Sequence, residues 1–204
     1  MAQITTGIRR VLSHPAVYDA FQLFTGSKWG RARFARQVAA RPGDRVLDIG
    51  CGTAELLDYL PEVEYWGFDV SESYIAAASK RYGPRGNFVC KLLDSKDLES
   101  LPKFDVVIAS GVLHHLDTDT AHELFRLARS ALRPGGRFVS IDCCYDNHQN
   151  TVSRLIVSLD RGQNILDGDG YKKLASTAFD DVVGRVYHQV WIPYTHWIME
   201  CRAP

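Results

Sequence analysis

The sequence predicts an α/β domain: a mostly parallel sheet with helices on both faces. Three observations carry that expectation. From Arg45 onward, short apolar runs alternate with segments of helical period, the pattern of a parallel sheet covered on both sides. The first run, Val46-Leu47-Asp48-Ile49, passes directly into a tight glycine turn, Gly50-Cys51-Gly52-Thr53. The chain then closes on two alternating segments, Asp181 to Val190 and Pro193 to Cys201, which read as a hairpin on one sheet edge.

Taken in order, residues 1–40 read as an N-terminal helical cap and residues 41–204 as the main body of a single domain. His14 and Pro15 open a first helix, Val17, Tyr18, Phe21 and Phe24 share one face of it, and Gly26 closes it. A second helix carries Trp29, Phe34 and Val38 into Pro42 and Gly43. The arginine-rich start, with Asp19 as its one acid, superficially resembles a transit peptide, but the shared apolar face favours a cap. Strands are expected at Arg45 to Ile49, Tyr65 to Val70, Asn87 to Leu92, Phe104 to Ser110 and Gly136 to Asp142. Helices are expected at Thr53 to Leu60, Glu72 to Tyr82 and Asp119 to Leu132, the last ending at Arg133-Pro134-Gly135. Beyond Asp142 come a helix at Thr151 to Asp160, a turn-rich link from Gly162 to Gly170, and a helix at Tyr171 to Phe179.

Composition narrows the class. The 204 residues are 46% hydrophobic and balanced at 24 basic and 24 acidic side chains, which suits one domain with a full core and gives no electrostatic footprint for nucleic acid. No apolar run approaches the roughly 20 residues of a membrane helix. A cytoplasmic protein, monomeric or homodimeric and without membrane contact, is the expectation. The five cysteines, Cys51, Cys90, Cys143, Cys144 and Cys201, lack C-x-x-C spacing, and no paired-carboxylate motif stands out, so neither a disulfide framework nor a metal is expected.

The glycine turn carries the chemistry. Gly50 and Gly52 lack the Cβ that would hold a ligand away, so backbone N–H groups can approach it. A dinucleotide site would want a third glycine where Glu55 stands. Asp48 and Glu55 place negative charge beside the cradle, and no Lys or Arg lies between Val46 and Leu60, so a pyrophosphate would be repelled. S-adenosylmethionine, with an ammonium, a sulfonium and no phosphate, fits both the charge and the glycine pattern.

With those elements in place, residues 40 to 202 resemble the class I S-adenosylmethionine-dependent methyltransferases. The matches are Val46 to Thr53 for the glycine motif, Asp69 ending the second strand, Asp94 with Ser95 after the third, Phe104 to Leu116 for the fourth, and the Pro-Gly-Gly turn within Arg133 to Ile141. The resemblance implies a Rossmann-like seven-stranded sheet with one antiparallel strand near the C-terminus. It implies that Asp48, Gly50, Cys51 and Gly52 line the methionine end and that Asp69 and Val70 meet the ribose. Asp94 and Ser95 would meet the adenine, Ser110 would border the donor, and Tyr18 of the cap would cover it. Asp69 lies 19 positions after Gly50, the span of one strand-helix-strand step, and Ser71 is the better cap for the following helix. Asp94 could equally be an ordinary turn residue.

Methyl transfer from a sulfonium is an in-line displacement, so the protein mainly aligns the acceptor and excludes water. His114 and His115 follow the fourth strand. Their side chains are expected to diverge, with His114 facing the acceptor as a neutral imidazole that takes a hydroxyl proton near pH 7. Both histidines have a structural reading as satisfied donors. Tyr194 and His196, sharing a strand face, and Asp142 are further candidates. Tyr18, Phe21 and Trp29 could form an aromatic lid, and Tyr145 to Gly170 a cover with Asp160 and Arg161 as polar contacts. The expected reaction yields S-adenosylhomocysteine and a small molecule methylated on oxygen, in a metabolite or a sugar of a bacterial polysaccharide or natural-product pathway. N- or C-methylation and a non-catalytic S-adenosylmethionine-binding regulator are the alternatives within this reading. A nicotinamide reductase and a thiol or arsenic methyltransferase using Cys143 and Cys144 are rivals outside it.

Overall fold

A computed structural model describes residues 27–160, 162–189 and 193–204. Tyr18, Phe21 and Phe24 of the expected first helix, and Arg161, lie outside the described residues. The first described element is α1 (Ser27–Val38), followed by β1 (Arg45–Ile49), β2 (Glu64–Asp69), α2 (Glu72–Tyr82) and β3 (Asn87–Cys90). Next come α3 (Ser95–Ser100), β4 (Phe104–Ser110), α4 (Thr118–Ala131), β5 (Leu132–Cys143), α5 (Thr151–Ser158), α6 (Gly168–Ala175), β6 (Asp181–Gln189) and β7 (Tyr194–Arg202).

The seven strands form one sheet in the order β3-β2-β1-β4-β5-β7-β6. All neighbours from β3 to β5 pair in parallel, and β7 runs antiparallel to both β5 and β6, so the expected hairpin does supply the reversed strand. The strand order reverses between β1 and β4, and ligands of open α/β sheets bind at such a switch point, outside the carboxyl ends of the strands. Both Asp48 and the loop after Ser110 belong to these two central strands.

Burial explains why the central strands read as continuous apolar runs. One face packs Leu47, Val107, Phe138 and Met199 against Phe125, Ala128 and Phe179; the other packs Val46, Val106, Ile108 and Val139 against Phe34 and Val38 of α1. The aromatic pair Phe125–Phe138, ring centroids 5.4 Å apart and nearly perpendicular, locks α4 onto β5. Arg137 donates to the Val38 and Ala39 carbonyls at the C-terminal end of α1, tying that helix to the sheet.

Several boundaries differ from the sequence expectation, each for a local reason. The helix expected at Thr53 to Leu60 is a four-residue 3-10 turn, Glu55–Asp58, because Ala54 adopts a left-handed conformation (φ 56°) that α-helical backbone excludes. The third strand stops at Cys90, not Leu92. The fifth begins at Leu132 and carries Pro134, Gly135 and Gly136 within it, across a register shift between Phe104 and Val106, so Pro-Gly-Gly forms a bulged strand entry instead of a separate turn. α6 starts three residues before Tyr171 because the Asp167 side chain accepts from Gly170 N. The short α3 was not expected at all. Its signal is a capping box: Asp94 accepts from Asp97 N while the Asp97 side chain accepts from Asp94 N.

Candidate active site

At the donor end, the glycine turn is held by its own backbone. Gly50 and Gly52 have φ of 76° and 54°, conformations a side chain rarely adopts, and a Cβ on Gly50 would lie 2.6 Å from Val112 Cγ2. The N–H groups of Gly50 and Cys51 both donate to the Phe68 carbonyl, at 2.7 and 3.0 Å, and Gly52 N–H donates to Asp69 Oδ2 at 2.9 Å. Those three donors, which the sequence alone appeared to offer to a ligand, are therefore spent. With no α-helix following, there is also no helix N-terminus to hold an anion.

Acceptors converge there instead. Asp48 is 2% exposed; Tyr65 donates its hydroxyl to Oδ2 at 2.8 Å, while Oδ1 is buried without a partner among the described residues. Burial pushes the Asp48 carboxyl up to about 7, the Tyr65 bond opposes that rise, and nearby Asp69 adds to it. Asp69 bridges the glycine turn and the entry to α2, since its Oδ1 also accepts from Ser71 N at 2.8 Å. Ser71 itself caps α2 by accepting from Tyr74 N. Glu55 departs from its expected role: Arg31 and Arg81 reach it from α1 and α2 and neutralise it. The anionic character of the rim thus rests on Asp48 and Asp69.

Val70 and Leu92 stand beyond the ends of β2 and β3 and are 50% and 60% exposed. Asp94 lies nearby but is occupied: it caps α3 through Lys96 N and Asp97 N, and Lys91 Nζ contacts it at 3.1 Å. These bonds hold its carboxyl below the usual range. Ser95 and Ser110 are exposed at the same end of the sheet, and Cys51 is half-buried, its thiol pushed up by burial and by Asp48 and Asp69.

The acceptor end is built from four separated segments. His114, 7% exposed, sits in a 3-10 turn after β4. Its Nδ1 lies 2.9 Å from Asp142 Oδ1 at the end of β5, and its Nε2 lies 3.3 Å from Asp160 Oδ1 just past α5. Tyr194 donates to Asp160 Oδ2 at 2.6 Å, and Gly162 N–H donates to Asp160 Oδ1 at 2.9 Å. A Cβ on Gly162 would lie 2.3 Å from His114 Cδ2, so only glycine lets this segment cross the imidazole. Burial opposes protonation of His114, but the two carboxylates outweigh it and raise its pKa well above the ordinary value. Asp142 and Asp160 thus favour the charged form of His114 over the neutral imidazole expected near pH 7. Asp160 is correspondingly held below the usual carboxylate range, and burial raises Asp142.

The two neighbouring histidines do not diverge as expected: their ring centroids are 4.0 Å apart, with the rings tilted by 42°. Potential ligand atoms of His114, His115 and Asp160 all fall within 4.8 Å of one another. His196 sits 4.8 Å from the Tyr194 ring, its Nδ1 buried without a partner. Burial and the His114 charge push its pKa down to about 4, so this imidazole is neutral. Sequence reasoning named Asp142, Asp160, Tyr194 and His196 but had no means of joining them to His114.

Residues 47–138 match the methyltransferase domain family. That match spans the glycine turn, Asp69, Asp94 and the His114 loop in one stretch. Over that stretch the chain is similar to methyltransferase domains, and its relatives and structural neighbours support an S-adenosylmethionine-dependent class I methyltransferase. It is 36% identical to the 27-O-demethylrifamycin SV methyltransferase of Amycolatopsis mediterranei over 52% of this chain and 40% of that one. It is 29% identical to a demethylmenaquinone methyltransferase of Symbiobacterium thermophilum over 61% of this chain and 54% of that one. A solved S-adenosylmethionine-dependent methyltransferase from Archaeoglobus fulgidus shares the fold with a TM-score of 0.72 at 21% identity, covering 91% of this chain and 99% of that one. The chain spans between about a quarter and about half the length of curated relatives such as these.

Proposed function

We propose that this methyltransferase transfers the methyl group of S-adenosylmethionine to an oxygen of a small-molecule acceptor. The observation that carries the donor assignment is the glycine turn whose N–H groups are internally satisfied while a buried carboxylate oxygen of Asp48 has no partner among the described residues. Such a site discriminates against phosphate, which needs donors, and favours an ammonium, which needs acceptors. The donor supplies an electrophilic methyl on a sulfonium centre. Asp48 would hold its ammonium, Asp69 its ribose hydroxyls through the lone pairs its two backbone bonds leave free, and Val70 and Leu92 would flank the adenine. Asp94 has already bound Lys91 and the α3 terminus, which makes it a support for that wall before it is a ligand.

His114, with Asp142 fixing its ring through Nδ1, would take an acceptor's proton at Nε2, which requires the 3.3 Å contact of Nε2 with Asp160 to open. The two carboxylates favour its charged form, so it acts as a base only once deprotonated, above the ordinary histidine range. His115, its ring tilted against that of His114, and neutral His196 complete a polar wall that Tyr194 and Asp160 fasten to the cover. The oxygen assignment rests on this proton-handling cluster and on the similarity to a relative named for O-methylation.

The test is direct. Calorimetry should show S-adenosylhomocysteine binding and no NADH binding, and a turnover panel of hydroxyl, amine and thiol acceptors should favour hydroxyls. NADH uptake without binding of the adenosyl sulfur compound would overturn the donor assignment. Turnover confined to amines or thiols would overturn the acceptor class.

A further inference from the structure

A cavity of about 390 Å³ opens between α1 and the β6–β7 edge. Its lining includes Arg33, Arg36 and Gln37 from α1 and Arg185 and Tyr187 from β6, over an apolar floor of Val186 and Ile198. On a helix, positions 33, 36 and 37 share one face, so the two α1 guanidinium groups lie close enough to repel each other. Seven other arginines, at 31, 45, 81, 126, 133, 137 and 202, each meet a carboxylate. Arg33, Arg36 and Arg185 meet none among the described residues. Three cations facing one small space without a counter-charge are an arrangement that an anion would relieve.

Two of the three are already oriented. The Arg33 guanidinium lies 3.8 Å over the Tyr187 ring, and Arg185 donates to Gln37 Oε1. Stacking and a hydrogen bond hold each planar fork while leaving further N–H groups to donate, so less side-chain freedom is lost when an anion arrives. The cavity shares a sheet face with His196. Tyr187 pairs in register with His196, whose ring contacts Tyr194, and paired strand residues project from the same sheet face.

We infer that this cavity is a binding site for the phosphate group of a small molecule. Guanidinium forks match phosphate oxygens in paired hydrogen bonds, and three of them suit a dianion better than a single carboxylate. The site is independent of methyl transfer and would stand if the proposed acceptor class were wrong.

Inorganic phosphate titrated into the whole chain at constant ionic strength tests it. Saturable one-site binding is expected, weakened at least tenfold in Arg185→Gln and in Arg33→Gln, with Arg154→Gln, on α5 and over Tyr145, behaving as wild type. Unchanged S-adenosylhomocysteine affinity in the variants shows that they fold. Non-saturable binding, or equal affinity in the Arg185 and Arg33 variants, overturns the site; acetate competing as well as phosphate overturns the phosphate assignment.

Discussion

The donor end and the acceptor end sit on adjacent strands and solve opposite electrostatic problems. At the proposed donor end the backbone donors are paired internally and a buried oxygen of Asp48 has no partner among the described residues, an arrangement that suits a cationic group. At the proposed acceptor end one imidazole is enclosed by two carboxyl groups and a tyrosine hydroxyl, so its charged form is compensated before anything binds. An unpaired buried acceptor stores its own desolvation cost, whereas an ion-paired cluster spends its charges on holding a cover in place. Asp160, Gly162 and Asn164, whose N–H donates to the His114 carbonyl, all fasten that cover over the histidine.

The sharpest test of this contrast is removal of one charge from each end. Asp69→Ala takes away the group that bridges the glycine turn and the α2 entry. It should lower S-adenosylhomocysteine affinity by at least about 100-fold by calorimetry, the loss of two charge-assisted contacts at ~1.5–3 kcal/mol each. Unchanged affinity would remove Asp69 from the donor site. His114→Ala leaves Asp142 and Asp160 facing each other without a cation, and should destabilise the fold by about 3–5 kcal/mol in denaturant titration, besides lowering turnover by roughly 100-fold. A variant as stable as wild type would show that the cluster is not an ion-paired unit.

Asp48→Asn should act in opposite directions on binding and stability. Because the folded carboxyl is raised to about 7, the folded state binds a proton that the unfolded chain has already released. Stability therefore falls as pH rises from about 4 to about 7. The asparagine variant should lose that slope and melt higher than wild type at pH 8, while binding the donor at least tenfold more weakly. Wild-type donor affinity should in turn increase between pH 6 and 8, with a proton released on binding at the lower pH, measurable by calorimetry in buffers of different ionisation heat.

At the other end the signs reverse. Asp160 is held below the usual carboxylate range, so its contribution is present above that range and is lost as pH falls through it; His114, held high, loses its contribution only as pH rises past the ordinary histidine range. A pH–rate profile should rise above neutrality if His114 is the base. Tyr194→Phe, the mildest change, removes the bond to Asp160 and should cost about 1.5–3 kcal/mol in stability with little effect on donor affinity.

The local parts of this picture were legible in the residues themselves. Strand positions, the glycine turn, the Ser71 cap and the terminal hairpin follow from periodicity and turn chemistry that act over a few neighbours, and so do Asp48 and Asp69 as the acids flanking the turn. Tertiary structure decided the rest, because charge compensation acts through space. Arg31 and Arg81 neutralise Glu55 from two other helices; Asp142, Asp160 and Tyr194, spread over more than fifty positions, meet at His114, where the two carboxyl groups favour its charged form. The left-handed Ala54, which turns an expected helix into one 3-10 turn, is likewise set by the packing around the loop, since alanine's own preference is for the helix it does not form.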